Sequence, residues 1–215
     1  MINVCTFIHA MYTSKEKIRK ALSVFKDRGG ILRTSEALSA GIHPRTLYKL
    51  RDEGYITKLD RGLYKLSDDP PLSNPDISIV AARVPNAKIC LLSALDFHEM
   101  TKEIPHKVHI AIARTQRDPK IDYPPIEVYR FTDESFTEGV EKHEIDGQTI
   151  QVYNPAKTIA DSFKFRNKIG KEIALEALKS GLEQKNIEVK EILKYAKICR
   201  VENIMKPYLE VAING

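Results

Sequence analysis

The sequence has no tryptophan, only three cysteines in 215 residues, and no long apolar run. Cys5, Cys90 and Cys199 are widely spaced and form no Cys-x-x-Cys pair, which disfavours both a zinc site and a secreted disulfide framework. No stretch approaches the roughly 18 uncharged apolar residues of a membrane helix, and Met1–Tyr12 lacks the basic start and cleavage site of a signal peptide. We therefore expect a soluble cytoplasmic protein with reduced thiols and no membrane partner.

Positive charge is concentrated in the first third of the chain. The whole sequence has 34 Lys and Arg against 29 Asp and Glu, a net charge of +5. Residues 13–67 hold 13 basic and 6 acidic residues, a balance of +7, which leaves 21 basic and 23 acidic residues, or −2, elsewhere. A basic segment beside a nearly neutral body is typical of a nucleic-acid reader, because phosphate neutralisation dominates its affinity. A lysine-rich solvated surface explains the charge alone equally well.

The segment Ser67–Pro75 holds three prolines among small and acidic residues, a composition that neither a helix nor a central strand tolerates. We place a domain boundary there. The predicted organisation is an N-terminal extension over residues 1–12, a compact module over 13–69 and a second domain over 70–215.

The N-terminal module shows three helical patterns followed by a hairpin. Pro44 biases His43 toward the extended geometry of a cap residue and itself suits the first position of a helix. Asp60-Arg61-Gly62 supplies a turn between two apolar runs. The predicted elements are a helix over 14–28, a helix over 34–39 capped by Thr34 or Ser35 and stopped by Gly41, a helix over 44–53, and strands over 55–59 and 63–66. This order predicts a winged helix-turn-helix.

The third helix of this module is the candidate recognition helix. Leu47 and Leu50 share its predicted buried face, whereas basic and hydrogen-bonding residues turn outward. Because the first turns of a recognition helix approach base edges most closely, we predict base contacts by Arg45, Tyr48 and Lys49. The predicted phosphate contacts are Arg33, Thr46, Arg51 and Arg61. The alternatives are a solvated surface for each residue, and a winged helix that binds protein if Arg45, Lys49 and Arg61 are not coplanar.

The rest of the chain combines strands with a helical C-terminal half. The predicted helices cover 77–84, 91–100, 155–167, 171–183, 189–196 and 201–211, and the predicted strands cover 108–113, 126–131 and 149–153. The fold class is therefore α+β: a winged helix-turn-helix followed by an α+β domain with a small sheet.

No motif of the second domain supports catalysis, a cofactor or a metal. His106 and His109 are three apart in a predicted strand, so they face opposite sides. Asp118-Pro119-Lys120 has an acid-x-Lys spacing found in nucleases, but it lies in a proline-containing loop and the spacing recurs in helical segments. Ser93 lacks a GxSxG elbow, and Cys90 lies in an apolar run. We predict no catalytic, cofactor-binding or metal-binding residues, with a nucleic-acid enzyme as the alternative.

A basic stripe is predicted on the helix that starts at Pro155. Lys157, Asp161, Lys164 and Lys168 recur at i, i+4, i+7 and i+11 beside the apolar face. Such a stripe can meet nucleic acid or an acidic partner. The alternative is a solvated face on which Asp161 pairs with Lys157 or Lys164.

Short motifs follow one another along most of the sequence. They include Pro44-Arg45-Thr46-Leu47, the hairpin Leu59-Asp60-Arg61-Gly62-Leu63-Tyr64, Ile104-Pro105-His106-Lys107-Val108, Tyr153-Asn154-Pro155-Ala156-Lys157-Thr158-Ile159-Ala160-Asp161 and Tyr195-Ala196-Lys197-Ile198-Cys199-Arg200-Val201. Through these motifs the chain from Ile18 to Tyr208 resembles the AbiEi antitoxins and transcriptional regulators of bacterial type IV toxin–antitoxin and abortive-infection systems.

The resemblance implies a function for each domain. The winged helix would bind repeats in the double-stranded promoter DNA of its own operon and repress it. Residues 70–215 would form an antitoxin domain, with the basic stripe serving antitoxicity or DNA contact, that opposes an AbiEii-like nucleotidyltransferase toxin. A type IV antitoxin need not form a stable complex with its toxin, so direct contact is not implied. Some family members are stand-alone regulators, which is the alternative function.

Overall fold

A computed structural model describes residues 4–185 and 187–214, with side chains described for 15–185 and 187–212. The chain divides into two compact units. One unit runs up to Arg83 and includes Glu144–Gln148, and the other holds the rest of the chain. Within the described ranges, no helix is both long enough and apolar enough to cross a lipid bilayer.

The first unit is a winged helix. Its elements are α1 (Val4–Asp27), β1 (Ile31–Arg33), α2 (Thr34–Ser39), α3 (Pro44–Asp52), β2 (Ile56–Asp60), β3 (Leu63–Leu66) and α4 (Pro75–Arg83). The three strands form an antiparallel sheet in the order β1-β3-β2. Phe25 of α1, Ala37 of α2 and Leu47 and Leu50 of α3 meet in one buried cluster with Tyr64 of β3. The predicted helix-turn-helix and hairpin are confirmed.

Both predicted limits of this unit differ from the structure. Residues 1–3 of the predicted extension lie outside the described residues, and α1 already begins at Val4, so Val4–Tyr12 continues the first helix. The unit also extends to Arg83 rather than residue 69. The reason is that Ile79 and Ala82 of α4 are buried against Ile31 and Leu63. The proline-rich segment is thus a connection inside the first unit.

A hairpin turn contributed by residues 144–148 completes the first unit. Asp146 and Gly147 both have positive φ, +52° and +70°, as a two-residue Asp-Gly turn requires. The Asp146 carboxylate accepts hydrogen bonds from the Ser73 backbone N–H (2.9 Å), the Ser73 hydroxyl (2.8 Å) and the Ser78 hydroxyl (2.7 Å). Burial alone would raise the pKa of Asp146, but these hydrogen bonds outweigh it and lower the pKa.

The second unit contains a mixed sheet and seven further helices among its described residues. Its elements are β4 (Lys88–Ile89), α5 (Leu91–Phe97), β5 (Val108–Ala113), β6 (Ile126–Phe131), α6 (Asp133–Thr137), β7 (Val140–Ile145), β8 (Gln148–Tyr153), α7 (Pro155–Lys164), α8 (Arg166–Ile169), α9 (Lys171–Glu183), α10 (Val189–Ile198) and α11 (Glu202–Asn214). The strand order is β6-β5-β4-β8-β7, and the tip of the β7–β8 hairpin, Glu144–Gln148, is the part that belongs to the first unit. The pairs β5–β6 and β4–β8 are parallel, and β4–β5 is antiparallel. The predicted α+β class with a helical C-terminal half is confirmed.

The predicted surface stripe on α7 is wrong for its first two members. The side chains of Lys157 and Asp161 are 0% exposed and form an ion pair with each other. The stripe is also interrupted, because α7 ends at Lys164 and exposed Lys168 lies on the separate α8. Helices α5, α9 and α10 all pack on α7, so the face that the sequence pattern assigned to solvent is covered.

Several groups enclose the buried ion pair. Lys157 Nζ lies 4.2 Å from the ring centroid of Tyr153 and 4.8 Å from that of Phe131. The Cys199 thiol donates to Asp161 Oδ1 at 3.1 Å. Burial raises the pKa of the Asp161 carboxyl, and the Lys157 ammonium opposes that rise. Each charge therefore has its partners inside the protein.

We expect Asp161→Ala to lower the free energy of unfolding by about 3–5 kcal/mol, because it leaves the Lys157 ammonium buried without a counter-charge. Replacing both charges, as in Lys157→Met with Asp161→Leu, removes that penalty and should recover most of the loss. Urea unfolding of the three proteins measures the difference. A loss below about 1 kcal/mol in Asp161→Ala would be the behaviour of an exposed pair and would contradict the burial described above.

Candidate nucleic-acid interface

The start of α3 is built as its sequence predicts. His43 is extended, with φ −66° and ψ 141°, and its Nδ1 accepts the backbone N–H of Arg45 at 3.2 Å. Pro44 takes the first helical position, where a missing N–H costs nothing. Leu47 and Leu50 are 1% and 0% exposed. Their burial fixes the rotation of the helix, so the opposite face is turned to solvent.

The exposed face of α3 carries both free and partnered side chains. Arg45 and Tyr48 are exposed and Thr46 is half-buried. Lys49 Nζ lies 3.5 Å from Glu53 Oε1. Arg51 donates to Asp52, with Nη2 2.6 Å from Oδ1, and its guanidinium lies 5.2 Å from the ring centroid of Tyr48. Intramolecular carboxylates thus offset the charges of Lys49 and Arg51.

Arg33 is held by the start of α2. The Glu36 carboxylate accepts the backbone N–H of Arg33 at 2.8 Å and its Nη2–H at 2.6 Å. Burial would raise the pKa of Glu36, but the hydrogen bonds from Arg33 outweigh burial and lower that pKa. Arg33 is the cap residue, one position before the predicted Thr34, and its guanidinium already has an anionic partner.

The hairpin β2–β3 presents Arg61 at its tip. Arg61 is exposed, and the turn relies on Gly62 with φ +69°. The Thr34 hydroxyl donates to the Gly62 carbonyl at 3.3 Å, which ties the turn to α2. Arg83 Nη1 donates to the Arg61 carbonyl at 3.0 Å, and Arg83 Nε lies 3.3 Å from Asp60 Oδ2. The wing therefore has a defined position relative to the helices of its own unit.

A cavity of about 550 Å³ lies beside the N-terminus of α3. Arg45 and Thr46 line it together with His43 and with Lys17 and Lys20 of α1. Sequence reasoning missed the two α1 lysines as site residues, although they belong to the basic segment. Only the packing of α1 beside α3 brings them next to Arg45. The structure thus groups Arg45 and Thr46 with Lys17 and Lys20, of which Lys20 is paired with Glu16 at 2.9 Å. Arg33, Lys49 and Arg51 are also paired with nearby carboxylates.

The second unit shows no arrangement for nucleophilic or metal chemistry in the part of the chain that is described. Burial raises the pKa of the Cys90 thiol, so the thiolate is disfavoured. Asp118 pairs with Arg130 at 2.6 Å, and the Ser93 hydroxyl accepts the backbone N–H of His109 at 2.9 Å. Among the described residues, no group of three or more His, Cys, Asp or Glu side chains is placed to hold a metal ion.

Comparison with known proteins finds a family match within the first unit. Residues 19–66 match the model of a family described as "Transcriptional regulator, AbiEi antitoxin", so the resemblance to AbiEi proteins is confirmed over these residues. No curated protein matches the chain. The crystal structure of the RV2827C protein from Mycobacterium tuberculosis has a similar fold, with a TM-score of 0.57 and 13% sequence identity over 86% of this chain and 71% of that chain. At this identity the likeness shows the fold alone.

We expect Glu36→Gln to lower the free energy of unfolding by about 1 kcal/mol at neutral pH, since a solvent-screened ion pair and a helix cap are weakened together. Because the pKa of Glu36 is lowered by folding, its stabilisation is present above the ordinary carboxyl pKa and is lost as the pH falls through the folded-state pKa. Urea unfolding at neutral and acidic pH tests this. The control Glu53→Gln, at the C-terminal cap of α3, should change stability less. If the unaltered protein remained more stable than Glu36→Gln at acidic pH, that result would contradict the lowered pKa of Glu36.

Proposed function

We propose that this chain, whose residues 19–66 match a family of AbiEi antitoxin transcriptional regulators, represses its own promoter by binding double-stranded DNA through the winged helix. The observation that carries the proposal is that α3 is amphipathic, with one buried face and one exposed face. Leu47 and Leu50 are buried, while Arg45 and Tyr48 are exposed beside further cations. A helix of this kind fits the major groove of B-DNA.

The proposed roles follow from which charges are already partnered. Arg45 and Tyr48 would read base edges, since both are exposed near the start of α3. Arg61, Thr46 and Lys17 would contact phosphates on either side of the groove. Lys20, Lys49, Arg51 and Arg33 would contribute less, because each must first give up an intramolecular carboxylate. Occupation of promoter DNA in the cytoplasm would exclude the polymerase, and the protein would act by binding rather than catalysis.

Binding of the purified chain to its own upstream DNA tests the proposal directly. Shuffled DNA of the same composition is the control, and the measurement is made at two salt concentrations. Specific binding that weakens with salt supports a promoter-binding regulator. Equal affinity for native and shuffled DNA would overturn promoter recognition.

We expect Arg45→Ala and Arg61→Ala to act differently on DNA affinity. Loss of a base contact should weaken the native site by about 1–3 kcal/mol and shuffled DNA little. Loss of a phosphate contact should weaken all DNA about equally and reduce the salt slope by about one. Arg117→Ala, an exposed arginine of the second unit, is the control that should leave both affinities unchanged. Equal effects of Arg45→Ala and Arg61→Ala on both DNAs would contradict this division of roles.

We also propose that the chain is an antitoxin that opposes an AbiEii-like nucleotidyltransferase toxin in a type IV arrangement, without a stable complex. The support is the family description, which names antitoxins as well as regulators. Co-expression of the full chain with such a toxin tests it through bacterial growth. We expect Arg45→Ala to lose repression yet still rescue growth. Failure of the unaltered chain to rescue growth would leave a stand-alone regulator as the function.

A further inference from the structure

The second unit contains a polar cavity of about 600 Å³ that neither the DNA-binding nor the antitoxin proposal uses. Its wall is formed by the ends of four segments: residues after β5 and β6, and the last turns of α7 and α10. The lining residues are Arg114, Thr132, Asp133, Glu134, Ser135, Lys164, Lys197, Ile198, Cys199 and Arg200. The volume lies within the range of small-molecule sites.

Parallel strand pairing places the first part of this wall. In the β5–β6 pair, Ala113 is the register partner of Phe131, so both strands end at the same edge. The backbone N–H of Arg114 donates to the Phe131 carbonyl at 2.9 Å, which keeps Arg114 next to Thr132. The carboxyl ends of parallel strands are a recurrent location of ligand sites in α/β sheets.

The residues that line the cavity carry a net positive charge. Arg114, Lys164, Lys197 and Arg200 face only two acidic residues, Asp133 and Glu134. Across the described side chains, none of these four cations forms an ion pair. Lys164 and Lys197 offset the partial negative charge at the C-terminal ends of α7 and α10. Arg114 and Arg200 therefore supply the remaining positive charge of the lining.

Two lining residues hold an unusual backbone conformation. Asp133 has φ +42° and Arg200 has φ +59°. Residues other than glycine and asparagine seldom adopt this left-handed backbone region. At Arg200 this conformation ends α10, because the Val201 N–H donates to the Ala196 carbonyl at 2.8 Å and the Arg200 N–H donates to the Lys197 carbonyl at 3.0 Å. The adjacent Cys199 is buried and donates to the Asp161 carboxylate. The Arg200 side of the cavity therefore adjoins the buried core.

We propose that this cavity binds a small phosphate-bearing molecule. Arginine and lysine residues that line one cavity from separate segments suit a compact multivalent anion, because guanidinium and ammonium groups form charge-assisted hydrogen bonds with phosphate oxygens. The concave shape disfavours a duplex, whose phosphates lie along an extended line rather than at one point. The polar lining disfavours an apolar ligand. The inference does not depend on DNA binding by the first unit.

Calorimetric titration of the full chain with inorganic pyrophosphate at fixed ionic strength tests the proposal. We expect one saturable site, weakened about tenfold by Arg114→Gln and by Lys197→Gln, since each removes a charged hydrogen-bond donor. Asp133→Asn should tighten binding by about threefold, because it removes an acidic neighbour and asparagine tolerates positive φ. Lys142→Gln, at an exposed position of the same unit, is the matched control and should have no effect.

Three results would overturn the proposal. The first is no saturable binding below a dissociation constant on the order of 1 mM. The second is binding that survives Arg114→Gln and Lys197→Gln unchanged, or that is lost in Arg45→Ala, which would place the pyrophosphate in the first unit. The third is displacement of pyrophosphate by an oligonucleotide that has no terminal phosphate, if Arg114→Gln weakens that displacement. The cavity would then bind the nucleic-acid backbone.

Discussion

The buried ion pair of Lys157 and Asp161 constrains how the helices of the second unit pack on α7. Two charges without access to water are tolerated only when both are partnered and fully enclosed. Here the enclosure consists of the aromatic rings of Tyr153 and Phe131, the thiol of Cys199, and the helices that pack on α7. Because Asp161 holds Cys199, the end of α10 is fixed, and with it the position of Lys197 and Arg200.

In the first unit, the functional value of a basic residue depends on its nearest carboxylate. A total of +7 over residues 13–67 is a property of composition. The structure divides it into charges already offset inside the protein, such as Arg33 by Glu36, and charges directed to solvent, such as Arg45 and Arg61. A phosphate gains more binding free energy from a charge directed to solvent, because no ion pair has to be broken first. The charge available for the proposed DNA contact is therefore smaller than the sum and is located on fewer residues.

Predictions from local sequence succeeded where a local signal determines the structure. The start of α3 follows from Pro44 and His43, and the wing turn follows from Gly62. Strands β5 and β6 match their predicted limits because β-branched and aromatic residues predominate in both. Strand β7 was missed because its interior, Glu141-Lys142-His143-Glu144, carries no apolar alternation, and β4 was missed because it has two residues. Strand β4 forms through pairing with β5 and β8, which are distant in the sequence, whereas β7 pairs with β8 across the Asp146-Gly147 turn.

Sequence by itself determined the winged helix, the start of its helix α3 and the α+β class, because apolar spacing, caps and turn residues act within a few positions of one another. Only the tertiary structure decided which charges are buried, where the first unit ends, and which cations share a cavity. Lys157 and Asp161 have the same spacing as a solvated i, i+4 pair, and nothing nearby in the sequence reveals that three other helices cover them. Burial depends on what packs against a residue from far along the chain, which no local pattern records.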